Sequence, residues 1–174
     1  KLPEGRFLFV CNHRSKFDPI ISWYIFRKNH LAFISKPENF NVPVFGRFIR
    51  KCCFMTIDRS DARSSLGTFT KAAELMKNDV VSVGVYPEGT RNRDGSLLPF
   101  HDGVFIIARK ADVPIVVATI DGTEKITHNY PWKRTHIRLD IVGVIDRDFV
   151  NTHRTAAVGV AVREMMENNL KGTE

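Results

Sequence analysis

Short apolar runs rich in β-branched and aromatic residues recur along the chain, and segments with helical periodicity separate them. The runs predict strands at residues 6–11, 31–35, 54–57, 80–86, 113–120 and 135–144. The intervening segments predict helices at residues 18–28, 42–51, 61–78, 103–111 and 155–168. Such alternation is typical of crossover connections, which place strands parallel in one sheet. The sequence therefore predicts an α/β domain with a mainly parallel sheet that helices flank on both faces.

The length of the chain fits one domain. Its 174 residues, of which 43% are hydrophobic, are enough for a single hydrophobic core. Neither a linker-like segment nor an internal repeat divides the sequence. We therefore expect one domain over residues 1–174. Because the first residue is Lys rather than Met, a membrane anchor that precedes the domain is compatible with this expectation.

Two polar segments directly follow predicted strands. Residues 12–18 come after the strand at residues 6–11, and residues 88–91 come after the strand at residues 80–86. In open α/β sheets, ligands bind at the carboxyl ends of the strands. We therefore expect the two segments to contribute to one site.

The first polar segment contains a histidine and an aspartate. His13 lies in the loop, and Asp18 precedes Pro19 at the predicted start of a helix. If the loop folds back, Asp18 accepts a hydrogen bond from Nδ1–H of His13, and Nε2 is left to take a proton. The nucleophile can then be a substrate hydroxyl. An isolated pair at this spacing is more commonly a loop histidine and an aspartate that only caps its helix.

The second polar segment has the residues of a tight, anion-binding turn. Pro87 ends the strand, Gly89 permits the turn, and Arg91 offers a planar guanidinium that suits phosphate. Lys36 and Arg59 also follow predicted strands, so the same edge of the sheet would collect them. The alternative is an ordinary turn with a local ion pair and solvated surface charges.

The charge balance favours an anionic partner. Lys and Arg number 26 against 19 Asp and Glu, which gives a formal net charge of +7. The charges are scattered, and the sequence has neither a basic stripe nor base-stacking motifs, which argues against nucleic acid. Cys11, Cys52 and Cys53 have neither the pattern of a disulfide framework nor zinc-ligand spacing. They favour a reducing compartment.

Two segments predict contact with a membrane. The sequence has no run of 18 apolar residues that could span a bilayer. Residues 20–26 are almost entirely apolar, and residues 42–55 mix aromatic with basic side chains, as in helices that lie in a membrane interface. Packing in the core is the alternative. The predicted docking face consists of Trp23, Tyr24, Phe45, Phe48, Arg47, Arg50 and Lys51.

Four sequence blocks occur in a fixed order. Residues 12–18 contain N-H-x-x-x-x-D, residues 36–40 read K-P-E-N-F, residues 57–59 read I-D-R, and residues 87–91 read P-E-G-T-R. Together they resemble the lysophosphatidic acid acyltransferase family, also called 1-acylglycerol-3-phosphate acyltransferases. The resemblance runs from about residue 5 to about residue 120. The chain departs from the family at Asn39, at residues 101–102 and at Val117, where the family usually has Leu, a basic residue and Pro.

The resemblance implies a glycerol-3-phosphate acyltransferase-like fold and a role for each matched residue. His13 would deprotonate the acceptor hydroxyl, and Asp18 would hold the imidazole. Neither a metal nor a bound cofactor is implied. The pocket for the acceptor's phosphate would consist of Lys36, Arg59, Glu88, Gly89, Thr90 and Arg91.

The implied reaction moves a fatty acyl group from acyl-coenzyme A or acyl carrier protein to the sn-2 hydroxyl of 1-acylglycerol 3-phosphate, giving phosphatidic acid. The implied partners are this glycerolipid acceptor, the thioester donor and a membrane surface, with no nucleic acid. The expected location is the cytoplasmic face of a membrane, peripheral or anchored by a segment outside this sequence. One alternative is transfer to another lysophospholipid or to glycerol 3-phosphate. Another is a thioesterase or lipid hydrolase that uses the same pair, and a third is a lipid-binding module, which would not need it.

Overall fold

The computed structural model describes residues 2–57, 62–92 and 94–171. Within these residues one sheet has six strands in the order β3-β2-β4-β1-β5-β6. Strands β1 to β5 pair in parallel, and β6 pairs antiparallel with β5 at one edge. The strands are β1 (Leu8–Cys11), β2 (Leu31–Ser35), β3 (Met55–Thr56), β4 (Ser82–Val85), β5 (Ile115–Asp121) and β6 (Arg138–Ile145).

Helices cover both faces of this sheet, as the sequence predicts. One face packs beneath α1, and the other packs against α3, α4 and α7. The mainly parallel α/β architecture is therefore confirmed. The α-helices in the described residues are α1 (Asp18–Ile25), α2 (Phe45–Lys51), α3 (Ala62–Lys77), α4 (Ile106–Ala111), α5 (Ile126–Asn129), α6 (Arg147–Thr152) and α7 (Thr155–Lys171).

The central strand β1 explains why the core has two layers. Its side chains alternate between faces: Phe9 and Cys11 pack on the α1 side, and Leu8 and Val10 pack on the opposite side. All four are fully buried. A strand that is covered on both faces is continuously apolar, which is why residues 6–11 read as a buried strand.

Predicted helices differ from the structure in detail. The helix predicted at residues 18–28 ends at Ile25, and the helix predicted at residues 103–111 begins as α4 at Ile106. The helix predicted from residue 42 begins only at Phe45, because Val44 has a φ of +65° and so lies outside the helical region. In α3, Leu66 is 50% exposed although its spacing places it with the buried Phe69 and Met76. A periodic position is buried only where another element covers it. The single-domain assignment stays a prediction.

Candidate active site

The two polar segments meet because their strands are neighbours. Val10 of β1 pairs with Val85 of β4, so the loops that follow these strands leave the sheet side by side. The backbone N–H of His13 donates to Glu88 Oε1 at 2.7 Å, and the backbone N–H of Asn92 donates to the His13 carbonyl at 2.8 Å. The expectation that the segments share one edge of the sheet is confirmed.

Asp18 is fully buried and makes four hydrogen bonds with other residues that the structure describes. Its Oδ2 lies 2.8 Å from Nδ1 of His13 and accepts the backbone N–H groups of Arg14 and Ser15, each at 2.7 Å. Its Oδ1 accepts the hydroxyl of Thr123 at 2.5 Å. Buried carboxylates are tolerated when such donors surround them. The four bonds fix the carboxylate against the imidazole edge.

Asp18 does not cap α1, so the alternative that this aspartate only caps its helix is wrong. It is the first residue of the helix, and the cap position belongs to Phe17, whose side chain makes no capping bond. The carboxylate turns back to the N–H groups of Arg14 and Ser15 instead. It therefore closes the loop before the helix, and this closure brings His13 to it.

Two aromatic rings support the imidazole from one side. Tyr86 stacks on His13 with centroids 4.3 Å apart and 19° between the planes, and Phe33 stacks behind Tyr86 at 5.4 Å. Burial raises the pKa of the Tyr86 hydroxyl well above its ordinary value, so the phenol stays neutral. The His13 side chain is 17% exposed, and none of the described residues forms a hydrogen bond with its Nε2. This geometry suits a general base.

Glu88 is a buried acceptor for two loops. It is 3% exposed, and its second oxygen, Oε2, accepts the backbone N–H of Leu98 at 2.9 Å. Burial raises the pKa of the carboxyl above its ordinary value, while the bonds from Leu98 and His13 oppose the rise. Both oxygens are engaged within the chain, so Glu88 ties the His13 loop to the Leu98 segment. Its contact with a phosphate stays a prediction.

The other predicted binding residues lie past the ends of neighbouring strands. Gly89 has a φ of +68°, and its N–H donates to the Tyr86 carbonyl at 3.0 Å, which forms the predicted turn. Thr90 and Arg91 follow it and are exposed. Lys36 is exposed after β2, which pairs with β4. Arg59 lies outside the described residues. The phosphate pocket stays a prediction.

Sequence reasoning assigned no role to two residues that shape the site. Thr123 follows β5, next to β1 in the sheet, and reaches Asp18 from 105 positions away. The side chain of Asn12 donates to the Ile120 carbonyl at 3.0 Å and accepts the Ile120 N–H at 2.7 Å. It continues the pairing of β1 with β5 through an amide group. The signal for Thr123 was its position just past a strand end.

The predicted docking face is partly assembled in the structure. Trp23 of α1 meets Phe48 of α2 edge to face at 4.8 Å. Arg50 donates to the Phe40 carbonyl at 2.9 Å and lies over the Phe40 ring. None of the helices in the described residues has the length and apolar character to cross a membrane. Docking of this face on a membrane stays a prediction.

The raised pKa of Glu88 predicts a pH dependence of stability. The folded state holds this proton to higher pH than the unfolded chain does. The stabilisation of the folded state by this protonated carboxyl is therefore present below the ordinary pKa of 4.5, and it is lost as pH rises through the raised pKa. We expect the free energy of unfolding of the wild type, relative to non-titrating Glu88→Gln, to fall over this range. Urea titrations at several pH values measure it, and a rise would show that the backbone bonds outweigh burial.

One family model matches most of the chain. The model described as Acyltransferase matches residues 1–121, which include both loops of the candidate site. The matched part exceeds half of the 174 residues. The chain belongs to the acyltransferase family.

Curated relatives of this chain carry the name of one enzyme activity. A chloroplastic 1-acyl-sn-glycerol-3-phosphate acyltransferase from Brassica napus, BAT2, is 39% identical over 119 residues, which are 68% of this chain and 34% of that protein. A 1-acyl-sn-glycerol-3-phosphate acyltransferase from Escherichia coli is 30% identical over 142 residues, 81% of this chain and 56% of that protein. The chain thus spans about a third to a half of these curated relatives.

A solved structure shares the fold. The crystal structure of the 1-acyl-sn-glycerophosphate acyltransferase PlsC from Thermotoga maritima superposes with a TM-score of 0.76 at 28% identity. The match covers 99% of this chain and 68% of that one. The acyltransferase-like α/β fold that the resemblance implies is therefore confirmed.

Proposed function

We propose that this chain transfers a fatty acyl group from a thioester donor to the sn-2 hydroxyl of 1-acylglycerol 3-phosphate, giving phosphatidic acid. The observation that carries the proposal is the pair of His13 and buried Asp18, 2.8 Å apart, beside the segment that ends in Arg91. Membership of the acyltransferase family and the names of the relatives support it.

The proposed mechanism uses His13 as the base. Nε2 takes the proton of the acceptor hydroxyl while the oxygen attacks the thioester carbonyl. The tetrahedral intermediate collapses, the carbon–sulfur bond breaks, and the departing thiolate recovers the proton from the imidazolium. Asp18 stabilises the imidazolium through Nδ1. A positioned base contributes about 10²–10⁴-fold, so the orientation of both substrates must supply much of the remaining acceleration.

The phosphate of the acceptor accounts for the basic residues at the strand ends. Arg91 and Lys36 are exposed past the adjacent strands β4 and β2, and Arg59 completes the proposed set. Water as the attacking group would need no such cations, which argues against a hydrolase. Neither a metal nor a bound cofactor is part of the proposal.

Arg91→Lys tests the phosphate assignment. We expect kcat/KM for 1-acylglycerol 3-phosphate to fall roughly tenfold, because a point charge replaces a bidentate fork. The loss should largely vanish with 1-acylglycerol, which has no phosphate. Arg147→Lys, an exposed position on α6, is the matched control. An equal proportional loss on both acceptors would give Arg91 another role.

A product assay tests the function as a whole. We propose acyl-coenzyme A or acyl carrier protein as the donor and the cytoplasmic face of a membrane as the location. Each donor is offered with 1-acylglycerol 3-phosphate, another lysophospholipid, glycerol 3-phosphate or no acceptor. Phosphatidic acid should be the main product. Free fatty acid formed at the same rate with and without acceptor would instead identify a thioesterase.

A further inference from the structure

A loop after α5 exposes two aromatic side chains. Trp132 is 88% exposed, the largest fraction among the exposed large apolar side chains of the described residues, and Tyr130 is 78% exposed. Single apolar residues on a surface are ordinary, but a tryptophan and a tyrosine two positions apart form a local patch. We call residues 130–134, Tyr-Pro-Trp-Lys-Arg, the aromatic loop.

The aromatic loop lies in a stretch of the sequence that has basic but no acidic residues. Residues 125–139 contain four Lys or Arg and two His, and no Asp or Glu. Lys133 and Arg134 are exposed, and in the part of the chain that the structure describes neither has a carboxylate within 4.0 Å. Arg138 pairs with Asp140 at 2.6 Å, which leaves the positive charge concentrated at the loop itself.

The aromatic loop is attached to the edge of the sheet that carries the candidate active site. It follows β5, whose last residue, Asp121, lies 2.9 Å from the guanidinium of Arg14. Thr123, two residues further on, bonds to Asp18. The connection that leads to Trp132 therefore begins beside His13.

Hydrogen bonds hold the aromatic loop in a defined shape. The N–H of Tyr130 donates to the Ile126 carbonyl at 2.9 Å, and the N–H of Lys133 donates to the Asn129 carbonyl at 2.7 Å. The Asn129 side chain donates to the Thr135 hydroxyl at 3.0 Å. The aromatic side chains are thus exposed on an ordered turn, which gives them a preformed surface for a partner.

We propose that the aromatic loop docks on the surface of an anionic lipid bilayer. Tryptophan and tyrosine rings settle at headgroup depth, where one end is apolar and the other is hydrated. Lys133 and Arg134 match the negative surface potential of anionic lipids. The loop lies beyond residues 1–121, where the family model matches. The inference deepens the proposed function, because a lipid acceptor is taken from a bilayer, and it rests on that function only for the choice of partner.

Vesicle sedimentation without substrates tests the proposal. The wild type is expected to bind vesicles of phosphatidylcholine with about a third phosphatidylserine, and less so in high salt. Each basic residue contributes roughly fivefold, so Lys133→Gln with Arg134→Gln should weaken partitioning by about 25-fold. Trp132→Ala should weaken it by roughly tenfold on neutral vesicles as well, because it removes buried apolar area.

Two matched variants keep the test specific. Lys28→Gln with Lys77→Gln removes the same charge at exposed positions that precede β2 and β4, at the opposite edge of the sheet, and should bind like the wild type. Equal losses in this control would attribute binding to net charge and overturn the proposal. The proposal would also be overturned if vesicle binding fell only when Arg47, Arg50 and Lys51 of the predicted docking face were changed to Gln.

Turnover on a dispersed substrate separates docking from chemistry. The variants of the aromatic loop should keep wild-type acyl transfer to an acceptor in neutral detergent micelles. Loss of vesicle binding with intact micellar transfer supports docking. If the wild type transfers no acyl group in micelles, the proposed function fails while the docking result stands. The proposal is overturned if the aromatic-loop variants bind vesicles as well as the wild type but no longer capture acyl carrier protein. That result would assign the loop to an acidic protein instead.

Discussion

His13→Ala is expected to lower kcat for acyl transfer by at least about 10²-fold, because the acceptor hydroxyl loses the base that takes its proton. The KM for the acceptor should change little, since Nε2 acts on the reacting oxygen and not on the phosphate. Steady-state kinetics with saturating acyl-coenzyme A measure both parameters. Retention of more than about a tenth of the wild-type turnover would exclude His13 as the base.

Stability data decide whether such a loss is chemical. Without the imidazole, Asp18 keeps its bonds from Arg14, Ser15 and Thr123, so its charge stays compensated. The free energy of unfolding should therefore change by no more than about 1 kcal/mol. His153→Ala is the matched control, because the imidazole of His153 follows α6 and stacks on Phe149. This helix comes after the end of β6 that pairs with the start of β5, away from the active-site edge. This control should retain wild-type turnover.

The fold is predictable where a local pattern and burial agree. Residues 31–35 read as a strand and form β2 with those bounds, because the run is apolar and turn residues flank it. The short helices α5 and α6 were missed, since four and six residues are too few to show a helical period. The exposure of Leu66 could not be predicted either, because it depends on which elements cover the start of α3.

The candidate site is predictable where its geometry is local. His13 and Asp18 lie in one loop, so sequence spacing alone suggests their contact, which the structure places at 2.8 Å. The contact of Thr123 with Asp18 does not follow from sequence spacing, because only the pairing of β1 with β5 brings the two residues together. Glu88 and Arg91 lie close together in the sequence, which suggests an ion pair or an anion site. Its bonds to the backbone of His13 and Leu98 depend on how β1 and β4 are aligned.

Asp18→Asn isolates the charge of the carboxylate. The oxygen of Asn is expected to take the place of Oδ2, because the amide NH₂ would there meet two backbone N–H donors, from Arg14 and Ser15. The NH₂ group then faces Thr123, whose hydroxyl can rotate to accept. In this arrangement Nδ1 of His13 still has its acceptor, and the imidazole keeps its tautomer and its place. What disappears is the negative charge beside the imidazolium that forms during transfer.

We expect Asp18→Asn to lower kcat by about 10²-fold or more, with a loss of stability of only about 1–2 kcal/mol. Asp18→Ala should lower kcat similarly and cost more stability, because the N–H groups of Arg14 and Ser15 and the hydroxyl of Thr123 lose their acceptor in a buried site, at about 1–3 kcal/mol for each group left unsatisfied. Kinetics and urea unfolding of both variants separate the two contributions. Turnover of Asp18→Asn within tenfold of the wild type would mean that Asp18 only holds the loop. A deep loss of turnover in both variants, with only the alanine variant strongly destabilised, is the result expected if the charge of Asp18 acts on the base.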